Sequence, residues 1–443
     1  MNHGSINKPR IAYLIAGAGG MYCGSCMRDN RVVATLLELG FDVHPIPLYT
    51  PIQTDEDDVC IAPIQYGGIG LYLSHKSRLF RALPRFVNRI LDSPALLRLA
   101  SGIAVKTDSR DVGDLTVATL QPQSSLHHKY FAALLRTLEK IDPELIHLPN
   151  LMFVGLAGRL KDALGIPVVC TLAGEDFFLD QLPPPFDTQA CDLIRKGATD
   201  VDGFIAPTQY YAAAMIERFG LEAERVHYVP MGIHCPKSSP APKASGTFTI
   251  GYLARISPEK GLLELADAFA TLRQAGRDCE LRAAGYLPPS ARSYLKDIRR
   301  RLNNSGVGDR FEYIGEIDRT GKQNFLRSLH CLSVPTKYPE PKGLYVLEAL
   351  ATGVPAVLPR RGSFPELAEA TGGCLLYDPS EPDNLASAIG KLMDDPDRRA
   401  DLGARGRQAV QESFNARVMA ESVWTVFEKY LSRADANPKR TAE

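Results

Sequence analysis

Two glutamates, eight positions apart, lie where a predicted loop turns into a predicted helix. Glu340 stands in a proline-bound loop, Gly343 allows the tight turn, and Glu348 lies inside the helix. A carboxylate accepts hydrogen bonds from hydroxyl groups, so Glu348 suits a ribose diol and Glu340 suits a sugar hydroxyl. Two unrelated glutamates also reach this spacing by chance. The prediction therefore depends on the Pro, Gly and Leu-Glu-Ala-Leu-Ala residues around them.

A pair of cations forms a second candidate site. Residues 251–261 read Gly-Tyr-Leu-Ala-Arg-Ile-Ser-Pro-Glu-Lys-Gly and lie between a predicted strand and a predicted helix. Arg255 and Lys260 are thus placed at the carboxyl edge of a sheet, where α/β domains bind ligands. Both side chains end in cationic donors that suit phosphate oxygens. The pair favours phosphate binding over two solvated charges.

A glycine loop follows the first predicted strand. Gly17, Gly19 and Gly20, with Met21, let the backbone approach a diphosphate or an acceptor closely. Tyr22 occupies the third glycine position of Gly-x-Gly-x-x-Gly, so the dinucleotide fingerprint is not matched.

The next residues of this loop contain two cysteines. Cys23 and Cys26 have Cys-x-x-Cys spacing, but no second Cys or His pair lies at ligand spacing. We therefore predict no metal site, and the role of the two cysteines stays open.

Composition limits the class of protein. The 443 residues carry 51 Lys+Arg against 51 Asp+Glu, and 45% are hydrophobic, as in an ordinary globular protein of two or three domains. This balance argues against a nucleic-acid binder that neutralises phosphates along its whole length. Nine scattered cysteines indicate reduced thiols and a cytoplasmic location. The apolar run at residues 11–18 enters the glycine loop, as a buried strand does and a signal peptide does not. No run is long enough to span a membrane.

Short Val/Ile-rich runs alternate with segments of helical period, which predicts two doubly wound α/β domains in tandem. The expected domains are residues 1–235, which hold the acceptor, and residues 248–413, which hold the donor, joined by a Pro-rich linker at 236–247. A last helix in residues 414–443 is expected to pack back on the first domain. Predicted strands are 10–16, 41–48, 145–148, 167–172, 203–207, 226–230, 248–253, 280–284, 311–314, 331–334, 355–358 and 374–377. Predicted helices include 26–39, 127–141, 153–164, 262–274, 344–351, 385–393 and 416–430.

An irregular stretch, residues 67–114, interrupts the first domain. Its part from residue 76 to residue 98 has one acid, Asp92, against six basic residues: Lys76, Arg78, Arg81, Arg85, Arg89 and Arg98. Apolar residues recur between them at helical spacing. Two interpretations stay open: a helix that packs on its own domain with a solvated basic face, or a peripheral patch for an anionic membrane lipid or a phosphorylated acceptor.

Taken together, these motifs resemble the family 4 retaining glycosyltransferases (glycosyl transferases group 1) of the GT-B fold. The resemblance rests on residues 251–261, on Glu340-x7-Glu348 with the following Ala-Leu-Ala-Thr-Gly-Val-Pro, and on Gly362-Ser-Phe-Pro-Glu-Leu367. It implies two Rossmann-like domains facing a central cleft. It also implies transfer of a hexose from a nucleotide diphosphate sugar to a glycan, lipid or small-molecule acceptor, with neither metal nor cofactor and with retention of configuration.

The resemblance assigns roles to single residues. Arg255 and Lys260 would bind the donor diphosphate in place of a divalent cation, and Glu348 would bind the ribose. Glu340 would contact the transferred sugar together with the backbone near Gly343 and Leu344. The stretch Gly315, Glu316 and Ile317 would contact the base, which the sequence leaves open as UDP, GDP or ADP.

The chain also departs from the family pattern. Many members carry a histidine after the strand that here ends in Thr171-Leu172, where this chain reads Ala173-Gly174-Glu175-Asp176. We hypothesise that Asp176 or Glu175 takes over the contact with sugar or acceptor. An aspartate common after the Pro-x-Gly-Ile motif is His234 here.

Other functions remain open at this stage. A nucleotide-sugar epimerase or a sugar phosphorylase would use the same fold, and a binding module without activity could keep it. The joint presence of Arg255, Lys260, Glu340 and Glu348 speaks against the binding module. The sequence leaves the oligomeric state open.

Overall fold

The computed structural model describes residues 8–17, 24–48, 56–60, 109–121, 125–235, 246–381 and 383–435. The chain divides into two compact units. The first takes its residues from Met1–Pro207, Tyr211–Val229 and Met419–Glu443, and the second from Thr208–Tyr210 and Pro230–Val418.

The first unit is built on a six-stranded parallel sheet in the order β2-β1-β3-β4-β5-β6. Its strands are β1 Ile11–Ile15, β2 Val43–Pro47, β3 Leu145–Leu148, β4 Val168–Thr171, β5 Gly203–Ala206 and β6 Val226–Tyr228. Strands β1, β3, β4 and β5 are buried along their whole length, which agrees with their mainly apolar sequences. Helices that lie wholly or mainly in this unit are Gly24–Glu38, Ser109–Leu120, Ser125–Ile141, Ala157–Leu164, Asp176–Leu179, Phe186–Ala198, Gln209–Phe219 and Ala416–Asp435.

Two predictions for this unit are wrong in detail. The single helix predicted at 153–164 is a 3₁₀ helix, Leu151–Leu156, followed by the α-helix Ala157–Leu164. The side chain of Asn150 accepts a hydrogen bond from Met152 N, which starts the tighter 3₁₀ turn after β3. The stretch predicted as irregular at 67–114 ends inside a helix, because Ser109–Leu120 is helical.

The last helix, Ala416–Asp435, packs against the first unit. The Trp424 ring stacks on Phe41 with 4.0 Å between ring centroids, and Phe427 lies edge-on to Tyr13 of β1. Gly203 in β5 lies directly beneath the Tyr430 ring, so a Cβ at this position would overlap the ring. The helix therefore completes the apolar core on this side of the sheet.

The second unit repeats the architecture with the sheet order β12-β11-β10-β7-β8-β9, again all parallel. Its strands are β7 Phe248–Leu253, β8 Cys279–Ala284, β9 Phe311–Gly315, β10 Cys331–Ser333, β11 Ala356–Pro359 and β12 Cys374–Tyr377. Its helices are Leu262–Gln274, Arg292–Asn304, Arg319–Arg327, Leu344–Ala351, Phe364–Thr371, Asn384–Asp394 and Pro396–Ser413. All twelve predicted strands are present, with ends within two residues of those predicted, and the doubly wound α/β class is confirmed.

Several predictions fall outside the described residues. They concern Gly19, Gly20, Met21 and Cys23 of the glycine loop, the basic residues at 76–98, and linker residues 236–245. Among the helices that the structure does describe, none combines the length and the apolar character that crossing a membrane requires.

Candidate functional site

In the second unit, two loops meet where the strand order reverses. β7 and β10 are neighbours, and the chain continues from β7 to one side of the sheet and from β10 to the other. Such a switch point leaves a crevice at the carboxyl ends of the strands, which is where open α/β sheets bind ligands. Lys260 ends the 3₁₀ turn Pro258–Lys260 after β7, and Glu340 lies in the loop after β10.

The backbones of these two loops are in direct contact. Gly261 has a φ of 80°, and a Cβ there would overlap the carbonyl oxygen of Pro335, so only glycine fits. Lys337 N donates to Glu259 O at 2.9 Å, which ties the second loop to the first. Gly362 packs on the backbone of Glu340 in the same way. Because Gly261 and Gly362 have no side chains, the loops that carry Lys260 and Glu340 pack closely and keep these two residues at a fixed separation.

Lys260 and Glu340 form an ion pair that is almost entirely buried. Lys260 Nζ lies 2.7 Å from Glu340 Oε2, and the side chains are 14% and 7% exposed. The same carboxylate oxygen accepts hydrogen bonds from the hydroxyls of Tyr338 at 3.0 Å and Tyr345 at 3.1 Å. Lys260 Nζ also donates to Tyr338 Oη at 2.6 Å. Three donors thus converge on one carboxylate oxygen.

These donors decide the charge of the cluster. Burial by itself raises the pKa of Glu340, but the Lys260 charge and the hydrogen bonds from Lys260, Tyr338 and Tyr345 outweigh it, and the pKa is about 2. Burial, and after it the neighbouring Glu340 charge, raises the pKa of both tyrosines. At neutral pH Glu340 is therefore an ionised acceptor, and both tyrosines keep their protons.

Arg255 stands apart from this cluster. Its guanidinium lies 2.7 Å from Glu259 Oε1, and its side chain is 47% exposed. The sequence grouped Arg255 with Lys260, whereas the structure joins Lys260 to Glu340 and leaves Arg255 at the exposed rim of the same loop. The sequence analysis did not identify Tyr338 and Tyr345 as site residues, although one tyrosine lies just before Glu340 and the other shortly after it.

Glu348 has a cationic partner that the sequence analysis did not identify. Gly343, with a φ of 66°, turns the chain into the helix that Leu344 begins, and Glu348 follows on that helix. Lys322 Nζ lies 2.6 Å from Glu348 Oε1, with side chains only 15% and 12% exposed. Lys322 lies on a different helix, so chain spacing gave no signal for the pair.

The stretch predicted to contact a base leads into the helix that carries Lys322. Gly315 ends β9 with a φ of 99°, and its carbonyl accepts a hydrogen bond from Gly285 N at 2.9 Å. Glu316 is exposed, whereas Ile317 packs against the apolar cluster beneath. Asp318 then caps the helix Arg319–Arg327 through a 2.7 Å bond from Gly321 N.

In the first unit, Glu175 and Asp176 share one hydroxyl group. Tyr211 Oη lies 3.1 Å from Glu175 Oε2 and 2.9 Å from Asp176 Oδ1. Glu175 is buried and also accepts hydrogen bonds from Leu151 N at 2.9 Å and Ala173 N at 2.8 Å. It thus holds the loops after β3 and β4 together, while Asp176 keeps a partly exposed carboxylate.

A buried polar network beside β1 was missed by the sequence analysis. Arg28 Nη1 lies 2.8 Å from Asp29 Oδ1 and 3.0 Å from Thr171 Oγ1, and Tyr13 Oη donates to the same Asp29 oxygen at 3.0 Å. His147 Nε2 lies 2.7 Å from Thr171 Oγ1, and burial lowers the pKa of this histidine. Four consecutive polar residues at 28–31 on a helix cover every face, so some had to face the sheet.

Two further predictions concern the glycine loop and metals. Gly17 lies just after β1 with a φ of 81°, as a tight turn requires. Within the described ranges, no group of three or more His, Cys, Asp or Glu side chains is placed to hold a metal ion.

Comparisons with known proteins agree with the two-unit architecture. Residues 107–236 match the model described as Glycosyltransferase Family 4, and residues 237–409 match Glycosyl transferases group 1. The chain is 26% identical, over 55% of its length, to the MMP alpha-(1->4)-mannosyltransferase of Mycolicibacterium hassiacum, of which the match spans 58%. It is 27% identical, over 58% of its length, to a GDP-mannose-dependent alpha-(1-6)-phosphatidylinositol monomannoside mannosyltransferase of Mycobacterium tuberculosis, of which the match spans 68%.

Solved structures show the same fold. Sucrose-phosphate synthase from Thermosynechococcus elongatus aligns over 96% of this chain and 100% of its own, with a TM-score of 0.70 and 18% identity. Anabaena HepE in complex with UDP-glucose aligns over 95% of this chain and 100% of its own, with a TM-score of 0.63 and 16% identity. The two adjacent family models and this GT-B fold confirm the resemblance seen in the motifs: the chain belongs to the family 4 glycosyltransferases.

Proposed function

We propose that the protein is a retaining hexosyltransferase that moves a hexose from a nucleoside diphosphate sugar to a hydroxyl acceptor and requires no metal ion. The observation that carries this proposal is the buried Lys260–Glu340 pair at the switch point of the second sheet. It offers a cation for a diphosphate and an ionised acceptor for a sugar hydroxyl in adjacent positions.

The geometry of Lys260 supports the diphosphate role. An ammonium group has three protons, and two of them are directed to Glu340 Oε2 and Tyr338 Oη. The third is left for a ligand oxygen, in a direction that the other two fix. Arg255, at the exposed rim of the same loop, would add a second cation for the departing diphosphate.

The proposed reaction follows a front-face course. The bond between the anomeric carbon and the diphosphate oxygen breaks, and its electron pair stays on the diphosphate. The acceptor hydroxyl then bonds to the same face of the oxocarbenium-like sugar, and its proton passes to the departing diphosphate. Lys260 and Arg255 would stabilise the growing negative charge, and Glu340 would fix the sugar by one of its hydroxyls.

The names of the relatives suggest which donor and acceptor to test first. Relatives from Corynebacterium glutamicum and Mycobacterium tuberculosis are named as GDP-mannose-dependent phosphatidylinositol monomannoside mannosyltransferases. We therefore propose GDP-mannose as the donor and a polyol or glycolipid as the acceptor. Asp176 and Gly17 are candidate acceptor contacts in the first unit, and the basic residues at 76–98 are a candidate contact with an anionic lipid surface.

The proposal is tested by incubating the purified chain with GDP-mannose, UDP-glucose or ADP-glucose and measuring nucleotide release with and without EDTA. We expect one donor to be turned over, EDTA to have no effect, and NMR to show the donor's anomeric configuration in the product. Loss of activity in EDTA that Mg²⁺ restores would contradict metal independence. An inverted product would contradict retention. Formation of sugar 1-phosphate from inorganic phosphate would identify a phosphorylase instead.

A further inference from the structure

Lys322 is a little-exposed cation to which neither the family motifs nor the proposed reaction gives a role. Its ammonium lies 2.6 Å from Glu348 Oε1, and both side chains are little exposed. A charge that is largely removed from water needs a partner of opposite charge, and the two side chains provide this for each other. Lys322 therefore determines the orientation of the Glu348 carboxylate.

The two helices that carry the pair pack against the same apolar cluster. Phe325 and Leu326, from the helix of Lys322, pack in the same apolar cluster as Ala349, which follows Glu348. The Asp318 cap anchors the first turn of the Lys322 helix. Ile317 packs against this cluster, so the predicted base-contacting stretch, Lys322 and Glu348 belong to one packed region.

The electrostatics of the pair favours one kind of ligand. An ionised carboxylate only accepts hydrogen bonds, so it binds hydroxyl groups and repels phosphate. Lys322 occupies Oε1 of Glu348, and no donor from the described residues reaches Oε2. That second oxygen is available for the hydroxyls of a sugar ring.

We propose that Lys322 is a positioning residue that keeps the Glu348 carboxylate turned toward the ribose, and that it thereby sets the preference for ribonucleotides over deoxyribonucleotides. This inference rests on the proposed function, in which Glu348 binds the ribose of the donor. Lys322 acts through Glu348 and touches no part of the nucleotide.

The test is calorimetric titration of GDP and 2′-deoxy-GDP into the full chain and its variants. For the unaltered chain we expect GDP to bind about 10-fold more tightly than 2′-deoxy-GDP, since a single lost hydrogen bond is worth about one such factor. Lys322→Met should weaken GDP about 10-fold and 2′-deoxy-GDP less than threefold, because only the ribo form uses the second hydroxyl. Lys322→Arg should restore most of the preference.

Arg319→Met is the matched control, since it removes an exposed cation one turn earlier on the same helix and should leave both affinities unchanged. If Lys322→Met unfolds, Glu348→Gln takes its place and should abolish the preference in the same way. Equal weakening of both nucleotides in Lys322→Met would mean that Lys322 contacts the phosphates, and would overturn the inference. Equal binding of both by the unaltered chain would overturn it while the proposed function stands. If the unaltered chain bound neither GDP nor UDP at millimolar concentration, the proposed function and this inference would fail together.

Discussion

The described part of each unit contains a cation–carboxylate pair whose carboxylate also accepts a hydrogen bond from tyrosine, and the two pairs lie in different parts of the fold. In the first unit Asp29 accepts from Arg28 at 2.8 Å and from Tyr13 at 3.0 Å. In the second unit Glu340 accepts from Lys260 at 2.7 Å and from two tyrosines at 3.0 and 3.1 Å. The chemistry of the two carboxylates is therefore nearly the same.

The structural elements that hold the two carboxylates are different. Tyr13 lies in the middle of β1 and stacks on His147 of β3, with 3.9 Å between centroids, so the Asp29 network lies between the sheet and a helix. Lys260 and Glu340 lie on loops at the carboxyl ends of strands, held by the close approach at Gly261. The Arg28–Asp29 pair thus belongs to a core, whereas the Lys260–Glu340 pair is the one that, under the proposed function, would bind the donor. Stability and activity measurements should separate the two roles.

The largest effect is expected for Asp29→Ala. This change leaves the Arg28 guanidinium buried without its counter-ion, which should lower the free energy of unfolding by about 3–5 kcal/mol. Urea denaturation checks this. Asp192→Ala is the matched control, because it breaks an exposed ion pair with Arg195 and should change stability by less than about 1 kcal/mol. A loss as small as that of the control would show that the Asp29 pair does not stabilise the core.

For Lys260→Ala we expect a large loss of activity. Loss of the only ammonium beside Glu340 in the described structure should lower kcat/KM by about 30-fold or more, equivalent to about 2–5 kcal/mol. Steady-state kinetics with the accepted donor measures this. Lys337→Ala, which removes an exposed lysine from the neighbouring loop, is the control and should keep activity. An effect below about threefold would mean that Lys260 does not touch the donor.

The sequence predicted the strands and the loop motifs better than the partners of the site residues. Strand positions follow from local apolar runs and glycine turns, so β7 and the helix Leu344–Ala351 were predicted with their observed ends. The pairing of Lys260 with Glu340 joins residues 80 positions apart, and that of Lys322 with Glu348 joins two helices. Such pairs depend on sheet order, and no local pattern in a single sequence encodes it. Glu175 shows the same limit, because its donors Leu151 and Tyr211 lie 24 and 36 positions away along the chain.

A third measurement compares two neighbouring carboxylates of the first unit. Glu175→Gln places an amide donor against backbone N–H groups, which should lower the free energy of unfolding by about 1–3 kcal/mol. Asp176→Asn should leave stability nearly unchanged and lower turnover, because its partly exposed carboxylate is the one left for a ligand. Unfolding curves and initial rates for both variants test this. Wild-type rates in both variants would show that neither carboxylate takes part in the reaction.

The smallest effect is expected for Tyr345→Phe, which deletes one hydroxyl from Glu340 and leaves the ring in place. The lost hydrogen bond should lower stability by about 1 kcal/mol at neutral pH. Because the hydroxyl helps to hold the pKa of Glu340 at about 2, its removal raises that pKa toward the ordinary value of 4.5. A depressed carboxyl pKa contributes stability that is complete above pH 4.5 and is lost as the pH falls to about 2.

In this variant, acid unfolding should therefore begin at a higher pH. If Glu340 must be ionised for the reaction, the acid limb of the kcat profile, where kcat falls as the pH is lowered, should also move to higher pH. Tyr13→Phe is the counterpart in the first unit. It should lower stability by a similar amount, because the Tyr13 hydroxyl donates a hydrogen bond to Asp29. It should leave the acid limb of the kcat profile unchanged. If both variants shifted that limb equally, the Glu340 cluster would have no separate role in catalysis, and the contrast between the two buried pairs would be one of position only.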